Sequence, residues 1–161
     1  MIYYRAMVLL SDFSRVVLDL RPGLESDTLN GFWKELVAKE PDADPMRYFV
    51  VNQELLAFYR DLLPGTPIHL YTDGKLHTLP PIAEAIAGIF TREFKGDASL
   101  PKNAPESYRK IAEALGMSPE NIVFVDDKPT AIEAARFAGC VTVLHTDTAL
   151  TIAVLKDLLP S

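Results

Sequence analysis

Short apolar runs alternate along this chain with amphipathic stretches of helical period. The runs are Ala6–Ser11, Pro67–Thr72, Ile89–Glu93, Asn121–Asp126 and Val141–His145. Consecutive runs are separated by helix-length segments, so simple hairpins cannot join them. That order calls for βαβ crossovers and a parallel sheet covered by helices. The expected fold is α/β, with a five-stranded parallel sheet.

The helices between the runs carry their own punctuation. Asn52 can cap a helix with Leu55, Leu56, Tyr59, Leu62 and Leu63 on one face, stopped by Pro64-Gly65. Pro81–Ala87 reads as a short alanine-rich helix. Pro105 suits the first position of a helix carrying Tyr108, Ile111, Ala112 and Leu115, closed by Gly116. Pro129 opens another that ends at Gly139, and a last helix runs from about Thr148 to Leu159. One region breaks the alternation. Between the first two strands, the excursion from Phe13 to Asp61 holds an extra amphipathic helix, Asp27 to Ala38, and a Pro-containing linker, Lys39–Met46. An insertion directly after the first strand is a candidate lid over that strand's end.

A chain of 161 residues has about one domain's length on a prior of ~100–200 residues. Residues 1–161 are therefore read as a single domain, with 24–51 as a small cap insertion. Lys and Arg total 16 against 22 Asp and Glu, a net charge of −6, which lacks the footprint of a nucleic-acid binder. The longest apolar run, Ala6 to Leu10, has five residues where a membrane span needs ~20. No membrane partner and no secretory leader are expected, the start Met-Ile-Tyr-Tyr-Arg having no long apolar segment behind it. The lone Cys140 cannot form an internal disulfide, which fits a cytoplasmic location.

Ligands of open α/β sheets bind at the carboxyl ends of the strands. The first run ends at Asp12, the second at Thr72-Asp73-Gly74 and the fourth at Asp126-Asp127, while Lys102 precedes the helix leading into the fourth. Each position alone reads as a cap, a turn or a solvated charge. Jointly they are a cluster of carboxylates with a hydroxyl and an ammonium. Such carboxylates repel unless a cation joins them, and Mg²⁺ prefers oxygen ligands. A carboxylate aimed at phosphorus can act as nucleophile and form an aspartyl-phosphate. Thr72, with the N–H groups of Asp73 and Gly74, suits a phosphoryl oxygen, and Gly74 allows a close backbone approach.

In this order the residues resemble the haloacid dehalogenase-like superfamily over nearly the whole chain. The most specific stretch, KNAPESYRKIAEALGMSPENIVFVDDKPTAIEAARFAG at 102–139, is similar to that family's third and fourth motifs; LYTDG at 70–74 is similar to the second. The resemblance implies a Rossmann-like three-layer sandwich, Mg²⁺ as cofactor and a small phosphorylated substrate. It casts Thr72 as a phosphoryl-oxygen ligand, Lys102 as the bridge between nucleophile and phosphate, and Asp126 and Asp127 as metal ligands, Asp127 directly or through water. The first motif departs from the usual Asp-x-Asp-Gly-Thr: here it reads DFSRV at 12–16, with Asp12 at the nucleophile position and Ser14 where the second Asp, the general acid/base, belongs. The backbone carbonyl of Ser14 remains available to the metal. A competing register uses Asp19-Leu20-Arg21, but only Val16–Leu18 precede it. With Asp12 as nucleophile, Val16–Leu18 and Arg21-Pro22-Gly23 look like the hairpin flap of the family.

Ser14 matters because general acid/base groups contribute about 10²–10⁴-fold. The implied activity is therefore a phosphatase with weakened leaving-group protonation, favouring acyl or aryl phosphates. The alternative is a degenerate domain that keeps the fold as a binding or regulatory module. A 2-haloacid dehalogenase accommodates the missing Asp but has no need of the acidic pair. A response-regulator receiver is excluded by the late position of that pair. The small cap leaves the site open to larger substrates or to a second subunit. Trp33, Tyr48 and Phe49 are candidates to line it or to glue the cap helix down. His69, His77 and His145 share no ligand spacing, so zinc is not expected. Cys140 reads as a small buried residue.

Overall fold

The computed structural model describes residues 6–159. The first five residues, on which the expectation about a leader rests, lie outside that range. Among the described residues seven strands form: β1 (Val8–Ser11), β2 (Leu18–Leu20), β3 (Phe49–Val51), β4 (Ile68–Thr72), β5 (Glu93–Lys95), β6 (Ile122–Asp126) and β7 (Val141–Leu144). Six helices accompany them: α1 (Leu29–Lys39), α2 (Gln53–Leu62), α3 (Pro80–Ala85), α4 (Pro105–Ala114), α5 (Pro129–Ala138) and α6 (Thr148–Leu158). Five strands make one parallel sheet in the order β5-β4-β1-β6-β7. This is the expected Rossmann-like α/β architecture.

The central strands show why. Every residue of β1, β4 and β6 is buried, so these strands are apolar runs rather than alternating ones. Successive side chains still face opposite layers. Leu9, Leu70 and Val123 pack with α2 and α6 residues Leu55, Tyr59 and Leu155. Leu10, Tyr71 and Phe124 pack on the other side with Tyr108, Ile111 and Ile132 of α4 and α5. The helices begin and end where their signals lie. The Asn52 side chain accepts from Leu55 N at 3.1 Å, Pro105 and Pro129 open α4 and α5, and Gly139 closes α5 at φ 106°. Among the described residues no helix is long and apolar enough to cross a membrane.

Three expectations are corrected. The third sheet strand is β5 at Glu93–Lys95, not Ile89–Glu93. Ile86 and Ile89 instead close the end of α3 onto the core, with Gly88 turning at φ 80° between them, and pairing along β4 begins only at Thr91 N to Ile68 O. No local hairpin follows β1: β2 pairs antiparallel with the distant β3. The expected linker accordingly leads through a 3₁₀ turn at Pro45–Arg47 into a strand. Phe49 in that strand is fully buried, touching Phe32 and Trp33 of α1, so these aromatics glue α1 to the β2–β3 ribbon.

Parallel register brings three strand ends to one edge. Ser11 aligns with Leu70 of β4 and with Val125 of β6. The next residues along each strand are therefore Asp12, Tyr71-Thr72 and Asp126-Asp127.

Candidate active site

Asp12 leaves β1 with its N–H still donating to Val125 O at 2.9 Å. Its carboxylate takes the Lys102 ammonium at 2.5 Å, and the same Nζ donates to Asp126 Oδ2 at 2.9 Å. All three side chains are buried, Asp126 completely. Burial pushes the Asp12 carboxyl well above the usual carboxylate range, with Asp126 adding to the shift and Lys102 opposing it. Burial also opposes charge on Lys102, but Asp12 and Asp126 together overcome it and hold the ammonium protonated.

Lys102 comes from a loop, and the loop is pinned. Tyr71 O–H donates to Leu100 O at 2.7 Å, Ser107 O–H to Pro101 O at 2.6 Å and Tyr108 O–H to Lys102 O at 2.6 Å. Three consecutive carbonyls are thus held by three hydroxyls, and the Tyr71 ring lies 5.2 Å from Nζ. A second chain of hydroxyls reaches Asp12. The Ser11 O–H donates to the Asp12 carbonyl at 2.8 Å, leaving its oxygen to accept from Tyr59 O–H at 2.8 Å. Sequence reasoning missed these supports because each hydroxyl sits among residues chosen for a core face.

Asp127 completes the cluster. Carboxylate oxygens of Asp12, Asp126 and Asp127 all lie within 4.8 Å of one another. Burial first, then the Asp126 charge, raises the Asp127 carboxyl. Its Oδ1 is buried with no hydrogen-bond partner, an arrangement that costs roughly 1–3 kcal/mol when nothing fills it. The donor set is all oxygen and its charges repel, so these residues fit a hard divalent cation such as Mg²⁺.

The cluster opens into a cleft of about 260 Å³. Its lining includes Asp12, Ser14, Thr72 and Asp73 on one side and, on the other, Asp27 and Thr28 leading into α1 with Leu29 and Asn30 of its first turn. Asp73 also stands 3.9 Å from the Lys128 ammonium. Gly74 does not line this cleft. A Cβ there would fall 2.0 Å from Asn30 Oδ1, so what approaches Gly74 closely is the Asn30 amide of α1. Asn30 was not singled out in the sequence, since only tertiary packing sets it there. Asp19, of the competing register, lies on the β2–β3 ribbon, half exposed and paired with Arg15, and Arg21 donates to Met46 O.

Arg15 is the other residue that sequence reasoning passed over. It is the one described non-glycine residue with positive φ, 68°, at the position where the first-motif pattern has glycine. That conformation costs an L-residue about 1–2 kcal/mol. Its guanidinium donates to Asp19 Oδ1 at 2.9 Å and to Ser26 O at 2.6 Å while lining the cleft.

The remaining candidates stand apart. His69 is buried in β4, His77 bonds Glu93 at 2.7 Å, and His145 bonds Thr151 at 2.8 Å. Burial pushes the Cys140 thiol up to about 12, which leaves it inert as a nucleophile.

Known proteins carry the same architecture. A family model described as haloacid dehalogenase-like hydrolase matches residues 7–139. Enolase-phosphatase E1 of Streptomyces avermitilis is 35% identical over 106 residues, covering 53% of this chain and 41% of that protein. This chain thus spans well under two thirds of that relative's length. A hydrolase from Streptococcus pneumoniae superposes with a TM-score of 0.67 at 19% identity, over 94% of this chain and 98% of that one. A HAD family enzyme from Bacteroides thetaiotaomicron, solved with magnesium and inorganic phosphate, superposes with a TM-score of 0.60 at 13% identity, over 87% and 94%.

Proposed function

The chain belongs to the haloacid dehalogenase-like hydrolase family, and from that premise we propose a Mg²⁺-dependent phosphatase working through an aspartyl-phosphate on Asp12. The observation that carries the proposal is Lys102 bridging Asp12 and Asp126, with Asp127 beside them, where Asp12 and Asp127 line a cleft that also contains Thr72. The names of the phosphatase relative and the magnesium-and-phosphate complex point the same way.

Asp12, Asp126 and Asp127, with the Ser14 carbonyl, would hold the metal. When bound, Mg²⁺ offsets the repulsion among the carboxylates and supplies Lewis-acid stabilisation of phosphoryl charge. An Asp12 oxygen attacks phosphorus, the new P–O bond forms as the bond to the leaving oxygen breaks, and that oxygen departs with its electron pair. Lys102 steadies the carboxylate and charge on the phosphoryl oxygens, while Thr72 orients one of those oxygens. Water then attacks phosphorus as the bond from phosphorus to the Asp12 oxygen breaks; the water's proton leaves with the phosphate, and the Asp12 carboxylate is restored. Ser14 cannot deliver a proton to the leaving oxygen near neutral pH. The substrate is therefore a phosphorylated compound with a good leaving group, an acyl or aryl phosphate. Residues 24–51 serve as the cap, and its small size admits a larger substrate.

The test is hydrolysis of acetyl phosphate and p-nitrophenyl phosphate by the purified chain, with Mg²⁺ and with EDTA, beside Asp12→Asn. Metal-dependent turnover that disappears in the folded variant is the expected result. Turnover unchanged in Asp12→Asn would refute the nucleophile. No turnover from the folded wild type with Mg²⁺ bound would favour a binding module that has lost its chemistry.

A further inference from the structure

The cleft is lined by Asp12, Thr72 and Asp127, with Lys102 bonded to Asp12 behind them, and Arg15 borders the same cleft. Building on the proposed phosphatase reading, we propose that Arg15 is a specificity residue that takes a second anionic group on the leaving-group side of the substrate, a carboxylate or a second phosphoryl group.

Three observations converge on Arg15. The first is its backbone at φ 68°, a conformation suited to glycine but carrying a long cationic side chain here; strained residues of this kind cluster at functional sites. The second is its preparation. Asp19 and Ser26 O, from two different segments, each take one guanidinium N–H, at 2.9 and 2.6 Å. Two of five donors are engaged, which fixes the plane of the fork and leaves donors for a planar anion. The third is its place. Arg15 and Asp127 border both the catalytic cleft and a neighbouring groove of about 610 Å³ that runs past Asn52, His145 and Thr148. A leaving group that extends from the cleft toward that groove would pass Arg15. Lys128, the other cation of the cleft, is more than half exposed and faces Asp73, so it is less pre-organised.

Binding, not turnover, tests this. Calorimetry at fixed free Mg²⁺ would compare ethylphosphonate, which has one anionic group, with phosphonoacetate and methylenediphosphonate, which have two. The expected wild-type preference for at least one dianionic probe is about tenfold or more, the discrimination a charge-assisted contact provides. Arg15→Gly, which suits the φ of this position, should reduce that preference to near unity, and Arg15→Lys should retain part of it. The probe that is preferred identifies the second group. A wild type with no preference, or a preference that survives in Arg15→Gly, overturns the proposal. Failure of all three probes to bind the wild type would instead overturn the phosphatase reading on which it rests.

Discussion

In the proposed mechanism, Ser14 is the residue on which the catalytic level turns. It lines the cleft beside Asp12, at the position where the family pattern has a carboxylic acid. Ser14→Asp should raise kcat on alkyl phosphates, by up to about 10²–10⁴-fold, with a smaller gain on acetyl phosphate, whose leaving group needs no proton. Equal gains on both would show that the missing acid is not the limitation. His69 sets a different expectation. Its ring is buried in β4 with Nδ1 unpartnered, and burial, then the nearby Arg92 charge, lowers its pKa below the usual value. The unfolded chain binds the proton more readily, so stability is lost as pH falls through about 6.5 toward the lowered folded value. Denaturant titrations at about pH 7.5 and 5.5 should show this loss, and His69→Gln should reduce it. An unchanged slope in the variant would assign the loss to other groups. At this scale Asp12, Thr72, Lys102 and Asp126 were legible, because strand ends and chain order announce them. Asn30 and Arg15 were not: one approaches Gly74 and the other turns to positive φ only through tertiary packing.

At the scale of elements, local chemistry was read easily and pairing across the chain was not. Asn52, Pro105, Pro129 and Gly139 act within their own helices, and those helices start or end where the residues stand. The β2–β3 ribbon joins segments on either side of α1, and three-residue strands carry too little periodicity to show in sequence. The loop before α4 is the element on which the proposed role of Lys102 depends, since Tyr71, Ser107 and Tyr108 clamp three successive carbonyls ending at Lys102. Tyr108→Phe should cost about 1 kcal/mol of stability and lower kcat more than it raises KM, because Lys102 would lose its fixed approach to Asp12. A variant destabilised by that amount with kcat intact would make the clamp structural only.

The whole molecule places three carboxylates at the edge of a sheet whose central strands are buried throughout. Lys102 compensates only part of that charge. A cation bound to the folded state alone adds stability of RT ln(1 + [L]/Kd), about 2.7 kcal/mol at a hundredfold excess over Kd. Mg²⁺ should therefore raise the Tm of the wild type, and Asp127→Asn should weaken the shift. An equal shift in that variant would put the ion elsewhere. The fold was legible in outline because parallel sheets with both faces covered leave unmistakable apolar runs. The shape of the insertion after β1 was not, since it depends on aromatic contacts among Phe32, Trp33 and Phe49 that no local pattern encodes.

The most direct measurement is acid quenching of the Mg²⁺-loaded chain during turnover of ³²P-labelled acetyl phosphate. The account requires protein-bound label that hydroxylamine releases, approaching one per chain at most, and absent from Asp12→Asn. Turnover without bound label under fast quenching, or label that persists in Asp12→Asn, would contradict an aspartyl-phosphate on Asp12.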